Sequence, residues 1–214
     1  MKRNKILFFM LLLIMVTTSN ILALEMTAKG IKGGVNFATV GGADREFFES
    51  TPQKITTFSV GGFLVFTKDD KINIQPEVYY CKKGVNFNED DVNITFTMNY
   101  IEIPVLGTYE IAENIRAFAG PSLGIYMGGN YDLDADGYSD TGAMTEWFTM
   151  SGIDFGLVFG GSFSTGNLVL DARYAFSLNS VVTAYDFWAE DEWIEDDGLI
   201  VKNNLIQLLV GYKF

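Results

Sequence analysis

Residues 153–163 read Ile153-Asp154-Phe155-Gly156-Leu157-Val158-Phe159-Gly160-Gly161-Ser162-Phe163. Ile153, Phe155, Leu157, Phe159 and Phe163 share one parity; Asp154, Gly156, Val158, Gly160 and Ser162 share the other. Side chains of a strand alternate between its two faces, so this stretch has one large apolar face and one small or charged face. The same split recurs along the chain. Leu168, Leu170, Ala172, Tyr174 and Phe176 oppose Asp171, Arg173 and Ser177; Ile72, Ile74, Val78 and Tyr80 oppose Asn73, Gln75 and Glu77; Ile101, Ile103 and Val105 oppose Tyr100 and Glu102. A water-soluble barrel turns its apolar face inward. Here the face that must be enclosed carries the charges. The large face fits an acyl-chain environment, which offers no water to polar groups.

Eight such segments are predicted: Lys29–Thr39, Thr57–Phe66, Lys71–Lys82, Thr95–Tyr109, Asn114–Met127, Ser151–Phe163, Leu168–Leu178 and Lys202–Phe214. Each has the ~9–11 residues, or slightly more, that a tilted strand needs to cross hydrocarbon. Thr67-Lys68-Asp69-Asp70, Ile111-Ala112-Glu113 and Ser164-Thr165-Gly166-Asn167 read as tight polar turns. Between them lie long connections, about Val40–Thr56, Lys83–Ile94, Gly128–Met150 and Asn179–Val201. Short turns alternating with long loops mark an all-β, eight-stranded antiparallel up-and-down transmembrane barrel in an outer membrane. The short turns and termini are expected in the periplasm and the long loops outside. Aromatic residues at 14% and 22 glycines suit this class. Gly33-Gly34, Gly61-Gly62 and Gly160-Gly161 read as places where strands bend.

Lys2, Arg3 and Lys5 precede an unbroken apolar run from Ile6 to Val16, the pattern of a secretory signal peptide. The expected division is a signal peptide at residues 1–23, read by the general export route, and a barrel domain at 24–214. The chain carries −12, and removing those three cations brings it to about −15. Such an acidic product is no partner for nucleic acid, whose phosphates demand a basic face. There is no histidine and one cysteine, Cys81. Histidine-based triads, histidine-ligated zinc and an intrachain disulfide are therefore excluded. Chemistry using carboxylates alone is not.

The segments GIKGGVNFAT (30–39), INIQPEVYYCKKGV (72–85), NYIEIPVLGTY (99–109), AFAGPSLGIY (117–126), IDFGLVFGGSF (153–163), LDARYAFSLNSV (170–181) and NNLIQLLVGYKF (203–214) resemble, in order, the outer-membrane β-barrel domain proteins of Bacteroidetes, the PorT-like family. The resemblance covers nearly all of the exported chain. It implies an eight-stranded barrel, in most relatives without an assigned task; the PorT member is similar to components of a secretion and gliding apparatus.

Three sets of residues stand out. Glu77, Glu102, Arg116, Asp154, Asp171 and Arg173, with Asn36, Gln75 and Gln207, are expected inside the barrel. An eight-stranded barrel is just wide enough to be filled by side chains, so these groups are expected to pair and close the lumen. A narrow polar path and a paired-carboxylate enzyme are the alternatives. In the third long connection, Asp132, Asp134, Asp136 and Asp140 with Gly137 match the first nine positions of a calcium loop. Ala143 stands where the bidentate Glu belongs, so weak Ca²⁺ binding competes with a plain solvated acidic loop, and no other cofactor is indicated. Finally, Leu208, Val210, Tyr212 and Phe214 alternate to the last residue. Tyr212 and Phe214 are read as the assembly signal taken by the barrel-insertion machinery. The fourth connection, with Phe187, Trp188 and Trp193 among six acids, reads as a surface for a protein or other external ligand, or as an upward extension of the interfacial aromatics.

Overall fold

The computed structural model describes residues 24–43, 51–67, 71–89, 91–189, 192–197 and 200–214. The signal peptide expected at 1–23 lies outside these, as do residues 44–50 and the turn residues 68–70. The described strands are β1 (Glu25–Gly41), β2 (Ile55–Thr67), β3 (Ile72–Glu89), β4 (Val92–Ala112), β5 (Ile115–Ala135), β6 (Tyr138–Ala143), β7 (Phe148–Met150), β8 (Ile153–Thr165), β9 (Leu168–Ser177), β10 (Val182–Ala189), β11 (Glu192–Asp197) and β12 (Lys202–Lys213). Eight of them form a ring, in the order β1-β2-β3-β4-β5-β8-β9-β12, closed by pairing of β12 with β1 and of β4 with β5. All pairs are antiparallel. Closure leaves no sheet edge for lipid to meet.

The predicted alternation holds through the lower half of the ring. Val35, Phe58, Val60, Val78, Phe159, Leu170, Leu208 and Val210 are exposed on the outside, while Asn36, Ser59, Glu77, Asp171 and Gln207 are buried within. In bilayer, that outer set is lipid-facing.

The strands run well past the expected boundaries at the end opposite the short turns. β4 and β5 have 21 residues each, about twice what a tilted strand needs to cross. Lys83–Ile94 is not a loop: Lys83 pairs with Met98, Val85 with Phe96, Phe87 with Ile94 and Glu89 with Val92. The polarity rule reverses there. Val85, Phe87, Ile94, Phe96 and Met98 point inward and are buried, whereas Asn86, Asn93, Thr95 and Thr97 face out. Water, not lipid, bathes this part, so apolar groups are driven to the centre. Tyr131, Met144, Phe148, Val181 and Val182 complete an apolar core above the membrane. Phe96 meets the Phe148 ring edge-on at 5.4 Å and the Trp147 ring at 6.2 Å; Tyr131 and Trp147 lie 4.8 Å apart.

A bulge in β5 makes this core possible. Tyr100 pairs with Tyr126, but Asn99 pairs with Gly128, so Met127 has no partner. Gly128 has φ +126°, a conformation L side chains rarely adopt. The inserted residue shifts the phase of the strand. Below it, even positions such as Phe118 and Ser122 face in; above it, the odd positions Tyr131 and Leu133 do.

The third long connection is likewise built of strands. β5 turns into β6 through Asp136 (φ 27°) and Gly137 (φ 84°), with Ala135 opposite Tyr138, a two-residue hairpin with both central residues at positive φ. A short 3₁₀ turn at Met144–Glu146 leads to β7. β7 pairs with β10, and β10 with β11, as a separate small sheet. The side chains of Phe187, Trp188, Trp193 and their acidic neighbours lie outside the described residues.

Candidate functional site

The interior is stacked in layers between the short turns and the apolar cap. The lowest polar layer joins four side chains from three strands. Lys32 Nζ lies 3.1 Å from Glu77 and 2.7 Å from Asp171; Arg173 Nη1 lies 2.6 Å from Glu77 and its Nη2 also contacts Asp171. All four side chains are essentially unexposed. Their charges balance, two against two. Aromatic faces complete the packing: Lys32 sits 4.4 Å from the Phe63 centroid, and Arg173 lies 5.1 Å from that of Phe118.

Above it is an uncharged layer. Asn36 Oδ1 accepts from Ser59 and from Gln207, each at 3.0 Å, and Gln207 also donates to Ser59. Cys81 is buried here. The next layer holds Lys83, which reaches Asp154 at 2.8 Å and also contacts Glu102. Ser122 donates to Glu102 at 2.6 Å, and Asn203 donates to Asp154 at 2.9 Å. One cation here faces two carboxylates. Cavities of only about 10 and 20 Å³ lie around these side chains, room for about one water each.

The bore therefore holds five of the six predicted interior charges, in two separate groups. Glu77, Asp171 and Arg173 meet in the lower one, and Glu102 and Asp154 in the upper. Arg116 joins neither. It stands near the short turns, part-exposed, with Nη2 2.6 Å from Glu110. The two lysines were missed. Lys83 lies one residue beyond the predicted end of its strand, so it read as loop. Lys32 sits among Gly30, Gly33 and Gly34, which leave few side chains to mark a face. Charge counting would have found them: four inward acids had only two named cations, one of which lies elsewhere, and buried charges require partners.

The four aspartates do not form a calcium loop. Because the bulge sets the phase of upper β5, Asp132 and Asp134 face solvent opposite Thr141 and Ser139, and Asp136 is in the turn. Asp140 pairs with Leu133, on the other face, where it accepts a 2.9 Å hydrogen bond from Tyr131. That bond raises the Tyr131 phenol above its ordinary pKa. Among the described residues no three acidic, histidine or cysteine side chains converge as a metal site.

At the short-turn end the bore opens into a cavity of about 300 Å³ to which every barrel strand contributes. Tyr212 and Phe214 lie on the outer surface at the same end, with ring centroids 5.7 Å apart. Phe214 N donates to Lys29 O, so the chain remains paired to its last residue.

Among known folds, the attachment invasion locus protein Ail of Yersinia pestis aligns with 89% of this chain and all of its own, at 15% identity and a TM-score of 0.48. Neisserial surface protein A aligns over 87% and 97% at 13% identity and 0.48, and CarO of Acinetobacter baumannii over 89% and 98% at 9% and 0.44. No curated protein matches in sequence. The family described as "Outer membrane protein beta-barrel domain" matches residues 25–183, most of the chain, and encloses seven of the eight barrel strands. With the closed ring, the greasy exterior and the ion-paired bore, this places the chain in that family, as an eight-stranded barrel of the outer membrane.

Proposed function

We propose that this protein is a non-enzymatic outer-membrane anchor that displays a rigid cap for interaction with a partner or surface ligand outside the cell. One observation carries this reading. Paired strands continue far above the lipid-facing band and close over a packed apolar core. Loops needed only to join strands would not require such a core. The cap turns Asp132, Asp134 and Asp136 toward water, offering an acidic face to a cationic ligand. In the bore, the buried thiol of Cys81 has no histidine in the chain to activate it. The ordered motifs quoted above support the PorT-like group as its nearer kin.

A narrow porin or an accessory of a secretion complex is the competing role. The two layers of ion pairs and the cap argue for a closed bore. In planar bilayers the purified protein is expected to give no defined unitary conductance steps; steady steps of one size would overturn the anchor reading. Surface display has its own test. Cells carrying wild-type protein should retain a cationic external ligand or partner that cells with Asp132, Asp134 and Asp136 changed to Asn release. Equal retention by both would remove the acidic face from the proposal.

Tyr212 and Phe214 are assigned the role of assembly signal. Deleting Phe214 removes the terminal ring and the pairing of its backbone to Lys29. Folding, followed by the heat-dependent gel shift of intact barrels, is expected to slow severalfold when the insertion machinery is present. Unchanged kinetics would take the role away.

A further inference from the structure

We propose that the periplasmic mouth of the barrel is a blind cup that binds a small oxyanion, such as a phosphate or a phosphate monoester group. The short-turn end faces the periplasm in barrels of this kind, and there the bore widens into the cavity of about 300 Å³. This lies at the lower end of the ~300–1,000 Å³ usual for small-molecule sites. Its existence follows from side-chain size. The inward positions near the short turns are Thr27, Thr67, Thr108, Ser162 and Ser164, which fill little of the bore. Deeper in, Phe63 and Phe118 close it, each with a cation of the lower ion-pair layer against its ring.

The charge of this lining is opposite to that of the chain. The whole sequence has 27 acids and 15 basic residues, yet among the described residues no carboxylate lines the cup, whereas Arg116 and Lys213 do. Arg116 is steadied by Glu110, which itself is not part of the lining. Lys213 is half-buried and makes no ion pair or side-chain hydrogen bond with any described residue. The cations of the floor are already matched by Glu77 and Asp171, so they add no excess. Among the described residues the Lys213 charge is the unmatched one. It sits in a concave, partly desolvated space, which focuses its field. Around it, Thr108, Ser162 and Ser164 offer hydroxyl donors at several heights, while Thr27 and Thr67 bond each other at 2.7 Å and Gln75 donates to Glu77 at 2.7 Å. A cation with such a ring of neutral donors suits a compact anion with several acceptor oxygens. A metal ion finds no ligand set here, and an apolar ligand would strand the donors.

Two sources meet that chemistry: free phosphate compounds of the periplasm, and the phosphate of an inner-leaflet lipid headgroup tipped into the mouth. The test uses full-length mature barrel in maltoside micelles, titrated with inorganic phosphate against chloride at constant ionic strength. Backbone amide shifts of Thr67, Thr108 and Lys213 are followed by NMR. Saturable shifts at these three positions are expected. Lys213→Gln should weaken the apparent affinity roughly tenfold, the loss of one charge-assisted contact, and Lys213→Gln with Arg116→Gln should abolish saturation. Because Lys213 has no ion-pair partner among the described residues, the single variant should unfold at the wild-type temperature, which separates lost binding from lost fold. Shifts that stay linear in wild type, or an equal affinity in Lys213→Gln, would overturn the proposal. Nanodiscs then identify the source. If anionic phosphatidylglycerol discs already show the bound shifts, and phosphatidylcholine discs do not, the occupant is the headgroup; if both respond only to added phosphate, it is the free anion.

Discussion

Glu77→Gln is expected to lower the stability of the folded barrel by about 3–5 kcal/mol, the cost of breaking a buried ion pair from one side. Glu77 receives both Lys32 and Arg173, and none of the three has water to fall back on. Glutamine keeps the shape and an acceptor oxygen but leaves two cations against Asp171 alone. Equilibrium unfolding in urea, with the barrel in detergent or thin bilayers, measures the loss. Asp154→Asn is the informative contrast. It removes a carboxylate from the layer where Lys83 faces both Glu102 and Asp154, taking that layer from one excess negative charge to balance. Its effect is expected to be small, under about 1 kcal/mol, or stabilising, since replacing a poorly compensated buried charge can be neutral or better. Equal losses in the two variants would show that burial alone, and not charge balance, governs the bore.

The same contrast shows what was legible in the amino-acid sequence. The lipid-facing stripes were, because a period of two along Leu168–Phe176 or Ile153–Phe163 leaves no other assignment for large apolar side chains beside Asp171 and Asp154. The ring of eight followed from the spacing of such stripes between short turns. The candidate site was legible only in part. Inward acids announced themselves as charges in apolar segments, but their lysine partners did not. Lys83 lies where the outer stripe ends, and the period-two signal ends with it. The cap was hidden for a related reason. In Ile94, Phe96 and Met98 the apolar residues occupy the inner parity, so once solvent changed from lipid to water the pattern reversed without a break in the strand. The cup was invisible because hydroxyl residues such as Thr67 and Ser164 read as turn flanks. Their common enclosure depends on closure of the ring, which joins residues from Thr27 to Lys213.

Inserting one alanine between Gly129 and Asn130 is expected to unfold the cap while leaving the membrane-embedded barrel intact. The bulge at Met127 and Gly128 sends Tyr131 and Leu133 into the apolar core and Asp132 and Asp134 into water. With one more residue above the bulge, even positions face inward from Asn130 onward. Asn130, Asp132 and Asp134 would then meet Phe96, Met144 and Phe148, while Tyr131 and Leu133 would face out. Burying carboxylates there without partners costs several kcal/mol per ion, more than a core of this size can offset, so the cap opens instead. The lower half keeps its lipid face and both ion-pair layers, none of which involves residues beyond Tyr126 on β5. Protease added to the outside of cells should therefore cut the insertion variant within residues 130–150 and leave a protected barrel that still shows its heat-dependent gel shift. Gly128→Ala separates phase from strain: it keeps the residue count and forces a side chain into a positive-φ position, at a cost of about 1–3 kcal/mol, so its cap should remain closed but melt earlier. An insertion variant as protease-resistant as wild type would mean that the cap does not depend on this phase, and the surface-display reading would lose the rigid scaffold on which it rests.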